Sequence, residues 1–330
     1  MLNQDSNFLL AIRRLSVVIA LTGLGALTAL GCSSSSTTST DEVATVRMSD
    51  VGWSDITVTT AAVGVVLEAI GYKVDVQMLS VPVTYASLKN GDIDIFMGTW
   101  LPAQSQDLAP YLKDGSVEKV RVNLTGAKYT MAVPDYVAEG GLTSFADIAK
   151  FRDKIDGKIY GIEPGNDGNR LVLDMISENK FGLEGFELVE SSEQGMLAQV
   201  KRAADRMEWI VFLGWAPHPM NTRYDMTYLS GGDDVFGPDF GGATVTTVAR
   251  AGFLDSCGSC KQLFENITFT LEMENTLMGA MLDEKKEPEA AAIEWFRAHP
   301  EVLDQWLDGV VTLDGKDALP HVKQALGVTQ

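Results

Sequence analysis

From residue 44 onward, short apolar runs alternate with longer stretches whose apolar positions recur at helical spacing. Residues 44–48 read as a strand, and the string GWSD at 52–55 reads as a loop. Residues 56–70 follow as a helix, with Ser54 or Asp55 as its N-cap. KVDVQML at 73–79 alternates strictly and predicts a second strand. A helix over 82–90 closes at Gly91, and a third strand over 93–97 runs into GTWLP at 98–102. This β-α-β-α-β succession predicts a parallel sheet with right-handed crossovers. The succession then returns, with strands over 129–133, 158–162, 186–189 and 209–213 and helices over 145–151, 170–179 and 193–207. After a strand over 243–249 the rest is mostly helical. The fold class is therefore α/β, with two α/β units that suggest two lobes.

Ahead of this pattern the chain reads differently. Arg13 and Arg14 precede a sixteen-residue apolar run over 15–30, short for a membrane span, which needs about 20. Its length and flanks fit a secretory signal. The run ends in Ala29-Leu30-Gly31-Cys32, which resembles a bacterial lipobox, although Ala29 stands where Leu is usual. Residues 1–31 are expected to be a signal peptide and Cys32 the lipidated residue; signal cleavage nearby is the other reading. Residues 33–40 are almost all Ser and Thr, so 32–41 reads as anchor and flexible tether. No later run reaches membrane-spanning length, and the remainder is expected to be soluble.

Charge narrows the partners. The 26 Lys+Arg against 45 Asp+Glu give a formal net charge of −19, which argues against a polyanion such as nucleic acid and is compatible with a cationic ligand. Cys257 and Cys260 form a CGSC string. Beyond a secretion signal, a small-loop disulfide is the expected reading. Two thiols cannot close a zinc site, and the only histidines, His218, His299 and His321, are scattered, so no metal is expected.

In open α/β sheets ligands sit beyond the carboxyl ends of the strands. Pooling the loops expected there gives Trp53, Ser54 and Asp55; Thr99 and Trp100; Asn166 and Asp167; and Gly214 and Trp215. Trp209, Trp295 and Trp306 fit the interior of the protein. Trp53, Trp100 and Trp215 are each flanked by Gly, Ser, Thr or Pro and fit a cleft as well as a core. Several aromatic faces around one site suit a quaternary ammonium, which donates no N–H and is held by ring faces at about 0.5–2 kcal/mol per contact. Asp55 would add Coulombic attraction, or would cap the helix.

The strings GWSD, GTWLP, KYTM, EPGNDGN and LGWAPHP, in this order, resemble the substrate-binding proteins of glycine betaine/choline ABC transporters, and especially their choline-binding branch. The resemblance spans about 43–328. It implies a type II periplasmic binding protein fold, with 42–130 plus 222–330 as one lobe, 131–221 as the other and a two-strand hinge. It also implies an aromatic box of Trp53, Trp100, Trp215 and Tyr129, with Asp55 beside the cation and Asn166 meeting the choline hydroxyl.

Betaine carries a carboxylate and calls for N–H or cationic partners, whereas choline leaves a net cation. A buried Asp55 would attract choline and repel the betaine carboxylate. No Arg or Lys lies in the four loops, although Lys128 and Arg170 are close in sequence. The expected ligand is choline, with glycine betaine or proline betaine as the alternative. The expected partners are an ABC permease and its ATPase. The protein is expected to be periplasmic, lipid-anchored and monomeric, with no cofactor and no catalytic residue. G-x-S-x-G, HExxH and P-loop strings are absent. A thiol–disulfide protein using Cys257 and Cys260 is the lesser alternative.

Overall fold

Among the described residues the alternating and fully apolar runs become nine strands, β1 (Thr45–Asp50), β2 (Lys73–Met78), β3 (Ile95–Leu101), β4 (Val117–Pro134), β5 (Lys158–Tyr160), β6 (Glu187–Val189), β7 (Phe212–Ala216), β8 (Met226–Tyr228) and β9 (Gly242–Arg250). They come from a computed structural model that describes residues 44–328. The expected signal peptide (1–31) and the anchor and tether (32–41), Cys32 included, lie outside the described residues.

Hydrogen bonding orders the sheet β2-β1-β3-β9-β4-β7-β5-β6, with β8 on β4. β1 pairs parallel with β2 and β3, and β5 pairs parallel with β6 and β7. The two expected parallel units are therefore present. Between them lie β9 and β4, antiparallel to each other and to their outer neighbours. β4 was visible in sequence only from Tyr129 onward, but it is 18 residues long. It pairs with β9 as far as Lys128, then with β7 from Lys128 to Ala132, and with β8 at its end. Tyr129 thus sits where β4 changes partner.

The helix Ser54–Ala69 is buried on most of its surface. It lies against β1, β2 and β3 on one side and helices Leu271–Leu282, Pro288–Ala298 and Ala318–Leu326 on the other. A helix apolar nearly all round is one enclosed by packing, and this one carries Asp55 into the interior. Its N-cap is Trp53, in extended backbone, with no side-chain cap. The expected cap at Ser54 or Asp55 is displaced by one residue, because the Ser54 hydroxyl and N–H are both bonded to Glu193.

Two further expectations change. Trp100 and Trp215 lie within β3 and β7 rather than after them. β7 starts at Phe212, so Trp209 precedes it; Trp209 is half-buried, packed on Phe151 and capped by Lys154, whose Nζ stands 3.9 Å from its ring centroid. Trp295 and Trp306 are buried. The Cys257 and Cys260 sulfurs are bonded, 2.10 Å apart, and the Tyr72 hydroxyl donates to the Cys257 carbonyl. Among the described residues no helix is long and apolar enough to cross a membrane.

Candidate functional site

The partner change of β4 brings both halves of the sheet to one cavity. Cross-strand register sets Tyr129 opposite Trp215, with ring centroids 6.2 Å apart at 84°. Trp100, from β3, meets the Tyr129 ring at 6.0 Å and 64°. Edge-to-face pairs of this kind hold rings at fixed angles. Phe236 backs Tyr129 from the other side, also at 6.0 Å. Trp53 enters from the loop after β1, and Asn166 from the N-cap of helix Asp167–Ser177. All six residues expected at the site, Trp53, Asp55, Trp100, Tyr129, Asn166 and Trp215, line one cavity, together with Ile162 and Asp167.

Three of the four rings have their polar edge already committed. Trp53 Nε1 donates to Glu163 at 2.8 Å, Trp100 Nε1 to Asp55 Oδ2 at 3.2 Å, and the Tyr129 hydroxyl to Asn166 Oδ1 at 2.9 Å. With these donors spent on protein acceptors, the Trp53, Trp100 and Tyr129 walls offer a ligand ring surface rather than hydrogen bonds. Asn166 Oδ1 also accepts from the Gly168 and Asn169 N–H groups, while its amide Nδ2, which carries two N–H donors, makes a long 3.5 Å bond to Asp167 Oδ1 and is the part of the side chain that could turn to a ligand. Gly168 is required: a Cβ there would stand 1.9 Å from the Tyr129 hydroxyl oxygen.

Two carboxylates line this interior, and among the described residues neither is in an ion pair with Lys or Arg. Asp55 and Asp167 are 5 % and 1 % exposed. Asp55 Oδ1 and Asp167 Oδ2 have no hydrogen-bond partner among the described residues. Burial, and then the nearby Glu193, pushes Asp55 up to about 7 against hydrogen bonds from the Ile56 backbone and Trp100. Burial likewise pushes Asp167 up to about 7, and the nearby Arg170 charge offsets this only in part. Glu163 is also raised, chiefly by burial. Glu274 is raised well above its ordinary value by burial and by Asp55. No Lys or Arg lines the cavity. Arg170 is turned to the Ala103 carbonyl and Asp107, and Lys128 lies over the Tyr228 and Phe240 rings. A desolvated carboxylate with an unused oxygen is costly; a cation placed between the rings would offset that cost.

Sequence reading placed Asp167 among the pooled loop residues but assigned it no role, because its neighbour Asn166 carried the motif. Ile162 gave no signal beyond its strand. Neither could be told from structural residues before the strands were assembled.

Residues 44–298 match the family model described as the substrate binding domain of ABC-type glycine betaine transport system. A solved ABC-transporter choline binding protein in complex with choline is 58% identical, with a TM-score of 0.85, covering 86% of this chain and 98% of that one. A choline binding protein in an unliganded semi-closed conformation, with the same identity and coverage, gives 0.80. The glycine betaine/carnitine transport binding protein GbuC of Listeria monocytogenes serotype 1/2a (strain 10403S) is 27% identical over 165 residues, which is 50% of this chain and 54% of that protein.

Proposed function

Because the chain belongs to the substrate-binding domains of ABC-type glycine betaine transport systems, we propose that it binds choline outside the cytoplasm and delivers it to an ABC permease driven by an ATPase. The observation that carries the ligand choice is the pairing of aromatic walls with Asp55 and Asp167, two buried carboxylates in a cavity that no Lys or Arg lines, each with an oxygen left without a hydrogen bond. A trimethylammonium head takes ring faces and negative charge, and asks for no hydrogen bond. Choline adds only a neutral hydroxyl, which the Asn166 amide can meet. A betaine carboxylate in the same cavity would face two like charges. The solved choline complex among the relatives supports the same reading.

In this proposal Trp53, Asp55, Trp100, Tyr129, Asn166 and Trp215 bind the ligand. Residues 42–130 plus 222–330 make one lobe and 131–221 the other. Bonds such as Trp53 to Glu163 and Ser54 to Glu193 join the two groups of residues. A cation held from both sides would favour the closed arrangement by its differential affinity for it, and the closed form would dock on the permease. The protein catalyses no reaction and acts as a monomer. Residues 1–31 direct export, and Cys32 carries the acyl anchor. The thiol–disulfide alternative finds no support in the comparisons.

Glycine betaine is the second reading, favoured by the family description itself. Calorimetric titration with both ligands decides: choline is expected to bind more tightly, and tighter betaine binding would sink the choline assignment.

A further inference from the structure

Beside the cavity, three donors converge as they would on an anion. Ser54 offers its backbone N–H, at the start of a 16-residue helix, and its hydroxyl. His218 accepts the Met220 N–H on Nδ1 at 2.9 Å, which leaves its ring proton on Nε2, aimed at the same place. All three end on one carboxylate, that of Glu193. The distances are 2.9 Å from Ser54 N, 2.6 Å from Ser54 Oγ and 3.2 Å from His218 Nε2. Ser54 and Glu193 are 2 % exposed and His218 is fully buried. Among the described residues Glu193 forms no ion pair with Lys or Arg.

The cluster is continuous with the walls of the cavity. Ser54 lies between Trp53 and Asp55 in the chain, and the His218 ring stands 5.2 Å from that of Trp215. A ligand that carried a carboxylate behind its trimethylammonium head would need such N–H and O–H donors. Resting on the choline reading above, we propose that Glu193 occupies, with the protein's own carboxylate, the anion subsite that a zwitterionic ligand would use, and so makes the site selective for a net cation. Glu193 acts twice here: it consumes the donors, and it sets a like charge beside any incoming carboxylate. Specificity of this kind rests on a repulsive element as well as an attractive one.

The test is titration calorimetry of the full chain and its Glu193→Ala variant with choline and glycine betaine. The ratio of choline to betaine affinity is expected to fall at least tenfold in the variant, with betaine gaining. Added acetate, a free carboxylate for the same three donors, is expected to oppose betaine binding in the variant and leave the wild type unchanged. Equal weakening of both ligands, or no response to acetate, would overturn the proposal and leave Glu193 as a clasp. Should Glu193→Ala not fold, Glu193→Gln keeps the size, removes the charge and turns an amide N–H toward His218. The same shift of ratio, smaller, is expected, and an unchanged ratio overturns the proposal. A wild type that prefers betaine removes the choline reading itself. A wild type that prefers choline, with variants that keep its ratio, removes only this inference.

Discussion

Asp94 and Asp55 are both buried aspartates in the first parallel unit, 1 % and 5 % exposed, and they meet opposite fates. Asp94 accepts Arg47 through backbone N–H, Nε and Nη2, and Arg250 through Nε, at 2.6–2.9 Å. Burial alone would raise its pKa; the two guanidinium groups outweigh burial and hold it below the usual carboxylate range. Asp55 is given one indole N–H, a neighbouring acid and an unused oxygen, and it is pushed up to about 7. Burial is common to both, so the counter-ion makes the difference. Where the protein supplies the cation, the carboxylate is part of the fold. Where it does not, the carboxylate is, on the proposed reading, left to bind one from outside.

The contrast can be broken in four ways: three sets of substitutions in descending order of effect, and a change of pH. Asp94→Ala strands two guanidinium groups, and loss of a partner from a buried pair costs about 3–5 kcal/mol. Arg47 and Arg250 keep 32% and 28% side-chain exposure, so about 2–3 kcal/mol is expected. Denaturant unfolding should register this loss while choline affinity stays within about twofold of wild type.

Trp100→Ala removes a cavity wall and the donor to Asp55. Choline affinity should drop well over tenfold, more than about 1.4 kcal/mol, with the protein still folded. A calorimetric Kd near wild type would mean that the box is misassigned.

Asp55→Asn should weaken choline about tenfold, in keeping with the loss of one buried charge contact. In the absence of ligand, melting at pH 8 should be unchanged or higher, because a costly charge is gone. Asp94→Asn should do the reverse, melting lower with choline affinity intact. If both variants lost stability alike, the division into two kinds of carboxylate would fail.

The fourth test is the pH dependence of the unliganded protein. Asp55 and Asp167 have raised values, so their favourable contribution is complete below their ordinary 3.8 and is lost as pH rises through about 7. Asp94 has a lowered value; its contribution is present above 3.8 and is lost as pH falls below that. Between pH 8 and 5.5 only the site carboxylates titrate among these three, so melting temperature should rise on acidification. Choline affinity should move the opposite way, since the ionised forms bind the cation.

The parallel units were legible in sequence because strand alternation is a local pattern; five of the six cavity residues lay in the loops pooled after strands, whereas Tyr129 came from the resemblance to the glycine betaine/choline-binding family alone. What was not legible depends on pairing across the chain. β4 reads as a strand only near Tyr129, since its first half is charged and half-exposed along VEKVRVN. The Ser54 cap failed because Glu193, 139 residues away, takes its hydrogen bonds. Nothing local separates Asp55 from Asp94, because Arg47 and Arg250 reach Asp94 only once β1, β3 and β9 lie side by side.

The most direct test is proton release on binding, by calorimetry at pH 7 in buffers of different ionisation enthalpy. With Asp55 and Asp167 near 7, each is about half protonated at that pH, so choline should expel about half a proton or more per protein. Proton uptake, or none exchanged, would contradict the claim that these carboxylates ionise to receive a cation.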